Sequence, residues 1–352
     1  MTRQLRKLGF LTLGLFDPAD PARGHEELLE VIELGEQLGF DSAWLRHRHL
    51  QYGVSSPIAV MAAATQRTSR IELGTAVTPL GAENPFRLAE DLATVDALSR
   101  IGAGPGAEGR INPGFSVGPP MNFDRFKDAL YPGTAEAEEL GYPRLERLLS
   151  YLRGEPVSEF EGTVGIETYD RRIQPQSPGL AERTWYGGAS LRSARWAGEH
   201  GLNLLSSSVV RDEGDFTPGL PDGAEFGRIQ RAQIDLFREH HPDGEHARVS
   251  QGLVVIPTDT ATSDQVARYS AYREARLERT RTPQGPGLVF APDLIGTSAE
   301  LAEQLRAHPG FQAVDEVVFA LPFTFEHADY VQILTDMATR LGPELGWSPA
   351  TR

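Results

Sequence analysis

Residues 71–98 read IELGTAVTPLGAENPFRLAEDLATVDAL and hold one complete strand, loop and helix. The apolar run 71–78 predicts a buried strand. Asn84-Pro85 then supplies a capping side chain followed by the one residue whose missing N–H is harmless at a helix start. The helix is predicted to run to about Leu98.

The same unit repeats on both sides. Upstream, 8–16 (LGFLTLGLF) is a nearly continuous apolar run ended by the turn-forming DPADPARG. A helix over 25–38 follows, with Leu28, Val31, Ile32 and Leu38 on one face and Gly39 as its cap. A second strand is predicted at 40–45, and Ser56-Pro57 opens a helix to about Thr68. Downstream, strands are predicted at 110–117, 184–188, 202–207, 249–257 and 314–321, the first weakened by Pro113 and Gly114. Helices are predicted at 144–153, 190–200, 224–240, 263–279 and 326–341, with a capping box at Thr297–Glu300 opening one more.

Eight strands, each followed by a helix, argue for parallel pairing with right-handed crossovers. The expected fold is α/β, a (β/α)8 TIM barrel with loop insertions. It spans 1–352 as one domain, with insertions at about 100–109, 118–143, 155–182, 208–223 and 280–297. An open doubly wound sheet shows the same alternation, so the count supports closure without proving it.

Composition narrows the function. With 34 basic and 49 acidic residues the net charge is −15, which opposes nucleic-acid and anionic membrane partners. The chain has no cysteine, which removes thiolate metal sites and cysteine nucleophiles, and no metal site is expected. Leu8–Phe16 is read as a strand and not as a leader, and the protein is expected in the cytoplasm. Lys7 and Lys127 are the only lysines, and neither belongs at the catalytic rim of a barrel, which disfavours Schiff-base chemistry.

Two motifs mislead. Residues 104–109 spell GPGAEG, which fits G-x-G-x-x-G, but a helix precedes the motif where a dinucleotide site needs a strand. Residues 240–246, HHPDGEH, have the composition of a solvated turn. Two other places fit a barrel's catalytic rim. The second strand ends in His47-Arg48-His49, where imidazoles suit proton transfer. The fifth ends in Gly188-Ala189-Ser190-Leu-Arg192-Ser193, where glycines, a helix N-terminus, two hydroxyls and a guanidinium suit a phosphate.

The order of GFLTLGLF, GFDSAWLRHRH, SRIELGTAVTPLG, NPFRLAEDLATVDALS, GRINPGFSVG, YGGASLRSARWAGEHG and LIGTSAELAEQL resembles the bacterial luciferase-like flavin-dependent monooxygenases over almost the whole chain. That resemblance implies reduced FMN as cosubstrate, supplied by a separate flavin reductase, with O2 and a small organic molecule as substrates and a homodimer as assembly. It places Ala76-Val77 at a non-proline cis peptide beneath the flavin ring, and Ser190 and Ser193 at the flavin phosphate with Arg192 as an added cation. The chain departs from the family where Arg48 replaces the catalytic histidine, His47 replaces a glutamate, and Val117 replaces a phosphate-binding arginine. Arginine stays protonated near neutrality and is no general base, so proton transfer falls to His47 and His49. A reduced deazaflavin in place of FMN, or a flavin-binding protein without catalysis, are the alternative readings.

Overall fold

The computed structural model describes residues 4–104, 106–214 and 224–350. Eight strands line its barrel: β1 (Lys7–Thr12), β2 (Ser42–Leu45), β3 (Glu72–Thr75), β4 (Ile111–Asn112 with Gly114–Ser116), β5 (Trp185–Gly188), β6 (Asn203–Ser206), β7 (Val249–Gln251) and β8 (Glu316–Ala320). All neighbouring pairs are parallel, and β1 lies between β8 and β2. Closure comes through β4: its first piece pairs with β3 and its second with β5. The chain therefore folds as a (β/α)8 barrel. No helix among the described residues is long and apolar enough to cross a membrane.

Three of the expected strands are divided along their length. The expected strand 110–117 breaks at Pro113, which has no N–H to donate but still accepts from the Trp185 amide at 2.8 Å. The run 71–78 is interrupted by the cis peptide at Ala76-Val77, where the resemblance places one, and resumes as Thr78–Pro79 beside Gly114–Ser116. The run 249–257 divides into β7 and Val255–Pro257, which pairs with Leu294–Gly296 outside the barrel sheet.

Most helices lie where expected: Pro85–Leu98 is capped by the Asn84 side chain, and Thr297 and Glu300 cap each other reciprocally. The first helix begins earlier, at Pro21, and Ser56 precedes its helix without a side-chain cap bond. The last, His327–Asp336, widens into a π-helical turn at Met337–Leu341. The insertions hold more structure than their composition shows. A hairpin, Gly162–Val164 with Glu167–Tyr169, projects within 155–182, and short helical turns occupy 118–143. Val209–Arg211 pairs antiparallel with Leu288–Phe290, joining two insertions, while residues 215–223 of the fourth lie outside the described residues. The GPGAEG stretch is a surface loop after the helix Pro85–Leu98; its Pro105 is also outside the described residues.

What positions the site is the filling of the barrel. Alternation puts Trp44 and Trp185 inside, with centroids 5.4 Å apart edge to face. Each indole N–H has a partner, Ser42 Oγ at 2.9 Å and Asn112 Oδ1 at 3.1 Å. Only glycine fits at position 74, because a Cβ there would lie 2.3 Å from the Trp44 ring. Leu11, Leu205 and Val318 complete this inner cluster, which is separate from the larger core between barrel and helices.

Below the indoles, charged side chains close the N-terminal end. Arg248 donates to both oxygens of buried Glu316 at 3.1 and 3.0 Å and reaches Glu72 at 3.3 Å, while Lys7 meets Glu72 at 2.5 Å. The Arg248 guanidinium also covers the Trp185 ring at 4.7 Å. Burial pushes the Glu316 carboxyl up despite Arg248. Replacing Arg248 by Met leaves Glu316 uncompensated and is expected to cost about 3–5 kcal/mol at pH 7. Protonation of Glu316 relieves that loss, so the deficit should shrink at pH 5; urea unfolding at both pH values measures it.

Candidate active site

The upper half of the barrel is hollow because the indoles fill only the lower half. A cavity of about 140 Å³ opens at the C-terminal ends of the strands. Leu11, Leu205 and Val318 line it, and Ala76-Val77 and Gly187 lie against each other in its wall. A Cβ on Gly187 would lie 2.8 Å from Val77 Cγ1, so glycine keeps this side of the cavity open. Three polar atoms of residues lining this cavity, Arg46 Nε, Ser206 Oγ and Ser250 Oγ, are sealed from water with no hydrogen-bond partner. Buried polar atoms are nearly always satisfied, so three orphans around one cavity mark the seat of a ligand with polar edges. A larger cavity, about 440 Å³, lies at the barrel's opposite end, but Arg248 is there paired with Glu316 and Arg6 with Asp315.

A second cavity of about 180 Å³ adjoins the first and shares Arg46 and Val77 with it. Arg48, His47 and His49 line it, together with Pro79, Ser116 and residues of the 118–143 insertion. Among the described residues, no carboxylate lines either cavity. The rings of His47 and His49 lie 4.5 Å apart, and His49 packs on Phe126 at 5.2 Å. Burial above all, and then the neighbouring His49, push the His47 imidazole down to about 4. Its Nε2 stands 3.8 Å from Glu83 Oε1. Burial pushes Glu83 up to about 7, with Asp91 adding and Arg144 opposing. At neutral pH His47 is therefore neutral beside a carboxyl near its own midpoint, and the contact is not an ion pair. Burial, and then Arg48, lower the Arg46 guanidinium to about 10, which still leaves it charged at neutral pH.

The start of the helix Leu191–Glu199 differs from a vacant anion seat. Ser190 Oγ accepts from the Ser193 amide at 3.1 Å, and Ser193 Oγ accepts from the amides of Ala189 and Ser190 at 3.2 and 2.9 Å. The Leu191 N–H donates to Glu213 Oε2 at 2.7 Å, so a carboxylate already sits at the helix end. Arg192 is exposed, with its guanidinium 5.8 Å from the Tyr142 ring centroid. Gly188 and Ala189 border the mouth cavity beside this turn.

The structure thus brings His47, Arg48 and His49 together on one cavity and Ala76, Val77, Gly188 and Ala189 on the other. Sequence reasoning missed Arg46, Ser206, Ser250 and Glu83. Arg46 was accessible from strand alternation, since Ser42, Trp44 and Arg46 share the inward parity. Ser206 and Ser250 end or nearly end their strands on the catalytic side. Glu83 is joined to His47 only by the fold.

Two outcomes follow from this geometry. A carboxyl raised to about 7 from 4.5 contributes stability below pH 4.5 that is lost as pH rises through 7. Glu83→Gln should therefore stabilise the ligand-free protein at pH 8 by about 1–2 kcal/mol and hardly at all at pH 4.5, measured as Tm against pH. His47, shifted the opposite way, is common to both proteins and cancels in that comparison. Glu213→Gln removes the competing charge at the helix N-terminus, so inorganic phosphate should bind severalfold more tightly there, read by phosphate titration. An unchanged phosphate affinity would show that Glu213 does not guard an anion seat.

Comparison with known proteins fits this arrangement. Residues 7–310 match the model of the luciferase-like monooxygenases. Limonene 1,2-monooxygenase of Rhodococcus erythropolis is 45% identical over 89 residues, 23% of this chain and 22% of that protein. F420-dependent glucose-6-phosphate dehydrogenase of Amycolatopsis mediterranei is 28% identical over 60% of this chain and 63% of that protein. The chain thus spans less than two thirds of the length of these curated relatives. The oxygenating constituent of 3,6-diketocamphane monooxygenase from Pseudomonas putida, solved in complex with FMN, superposes with a TM-score of 0.65 at 15% identity, over 97% of this chain and 99% of that one. A closed (β/α)8 barrel with this match over residues 7–310 belongs to the luciferase-like monooxygenase family.

Proposed function

We propose that this chain is a flavin-dependent monooxygenase that uses reduced FMN and O2 to oxidise a small organic substrate. The observation that carries the reading is the mouth cavity, walled by Ala76-Val77 and Gly187 and bordered by three orphaned polar atoms. A flat ring with hydrogen-bonding edges fits those walls: small residues face it, and Arg46, Ser206 and Ser250 offer what its edge needs. When bound, the flavin would supply the redox chemistry. Gly188, Ala189, Ser190 and Ser193 would hold the phosphate once Glu213 withdraws, with Arg192 swinging in as a cation.

The chain's own residues would manage charge and protons. Arg46 and Arg48 are fixed cations that stabilise negative charge developing between the two cavities. His47, neutral at working pH, would accept a proton or orient a hydroxyl, and Glu83, 3.8 Å behind it, would exchange protons with it through one bridging water. His49 lines the second cavity and is the less buried of its two imidazoles. The absence of a credible dinucleotide fingerprint supports a separate reductase as the source of reduced flavin, and the family supports a homodimer.

A second reading has its own support: relatives that use the deazaflavin F420, together with Arg48 in place of the family's histidine. Anaerobic titration, followed by quenching of Trp44 and Trp185 fluorescence, separates the two. Reduced FMN is expected to bind and, on admission of O2, to be oxidised with kinetics altered by His49→Ala. Tight binding of reduced F420 alone would replace the monooxygenase reading with hydride transfer.

A further inference from the structure

We propose that the second cavity binds the carboxylate of an anionic organic substrate between Arg46 and Arg48. This rests on the flavin reading only in placing the reacting ring on the other side of Val77.

The chain holds 49 acidic residues against 34 basic ones, so partners for arginine are in surplus. Three partly buried guanidiniums elsewhere use them: Arg183 pairs with Asp96 at 2.8 Å, Arg276 with Asp293 at 2.5 Å and Arg248 with Glu316 at 3.0 Å. Arg110 instead donates to the carbonyls of Ile71 and Thr68, and Arg279 lies over the Phe290 ring with Asp293 among the charges that reach it. Arg46 and Arg48 are the contrast. Arg46 Nε has no hydrogen-bond partner, neither guanidinium has an ion pair among the described residues, and the positive charge of Arg48 adds to burial in lowering the Arg46 guanidinium. Two like charges held together without an acid are destabilising in the ligand-free protein, and an anion bridging them removes that penalty.

Chemistry and position select a carboxylate on the substrate. A guanidinium fork matches the two oxygens of a carboxylate in one plane. Arg46 and Val77 form the partition between the cavities, whereas Arg48, His47 and His49 line only the outer one. A single negative charge on a bound ring could be met by Arg46 from the inner side, and Arg48 would then remain without a counter-charge. An acid in the outer cavity satisfies both and presents its carbon skeleton to the partition.

Benzoate and benzamide, equal in shape and different in charge, test this on the full-length protein with and without bound FMN, by ligand-observed NMR. Benzoate should bind about tenfold more tightly than benzamide. Arg46→Gln and Arg48→Gln should each abolish that preference while circular dichroism stays native, and Arg46→Lys should restore part of it. Equal affinities in the wild type overturn the proposal, as does a preference that survives both glutamine variants. If Arg46→Gln instead weakens FMN binding or shifts the flavin midpoint potential with the benzoate preference intact, the anion belongs to the cofactor and the proposal falls. Failure of FMN to bind while the preference holds would remove the flavin reading and leave the carboxylate site standing.

Discussion

The edge-to-face contact of Trp44 and Trp185 is the constraint on which the rest of the molecule depends. Eight parallel strands enclose a fixed volume, and that volume must be packed or it forfeits dispersion and burial energy. Two indoles fill the lower half at once, provided that Gly74 yields space and that both N–H groups find partners inside. The filling is uneven by necessity. Above the indoles the inner residues are small or short, Ala76, Gly187, Ser250 and Val318, and the barrel stays open on the side where the βα loops converge.

Charge is divided along the same axis. At the lower end four ionisable groups neutralise one another, and the Arg248 guanidinium both caps Trp185 and holds Glu316. At the upper end Arg46 and Arg48 have no ion pair among the described residues, although the chain carries a net charge of −15. A folded protein tolerates buried, unmatched cations only at a cost in stability, and such costs concentrate where a ligand later offsets them. The contrast between a satisfied floor and an unsatisfied mouth is therefore a stronger indicator of function than cavity size, since the larger cavity lies at the floor.

Local signals were legible in the sequence where the physics is local. Asn84-Pro85 fixed a helix start, the Thr297 box formed as spelled, and Ser190 capped its helix with Ser193 reciprocating. Barrel closure was within reach only as a count of eight units, because pairing of the two pieces of β4 with β3 and β5 depends on a break at Pro113 that reads as weakness in a linear scan. The helix start at Ser190 illustrates the limit for sites. Its hydroxyls and amides suit a phosphate in one dimension, but in three Glu213 occupies the Leu191 amide and Arg192 lies against Tyr142. Arg46 was harder to read for a different reason: it stands one residue past the end of β2 at Leu45, where strand parity is no longer enforced by pairing.

The exchange of a family histidine for Arg48 need not silence proton chemistry, because the chemistry requires a group of suitable affinity and not a given position. His47 takes up a site shielded enough to keep its imidazole neutral, and Glu83 stands behind it with its affinity raised toward neutrality by the same exclusion of water. Burial thus moves the base down and the acid up, until the carboxyl becomes the better proton holder of the pair. Under the proposed function Arg48 would contribute what a histidine cannot hold reliably at neutral pH, a permanent positive charge. On the proposed reading the altered motif divides the work between a fixed cation and a buried imidazole backed by a carboxyl.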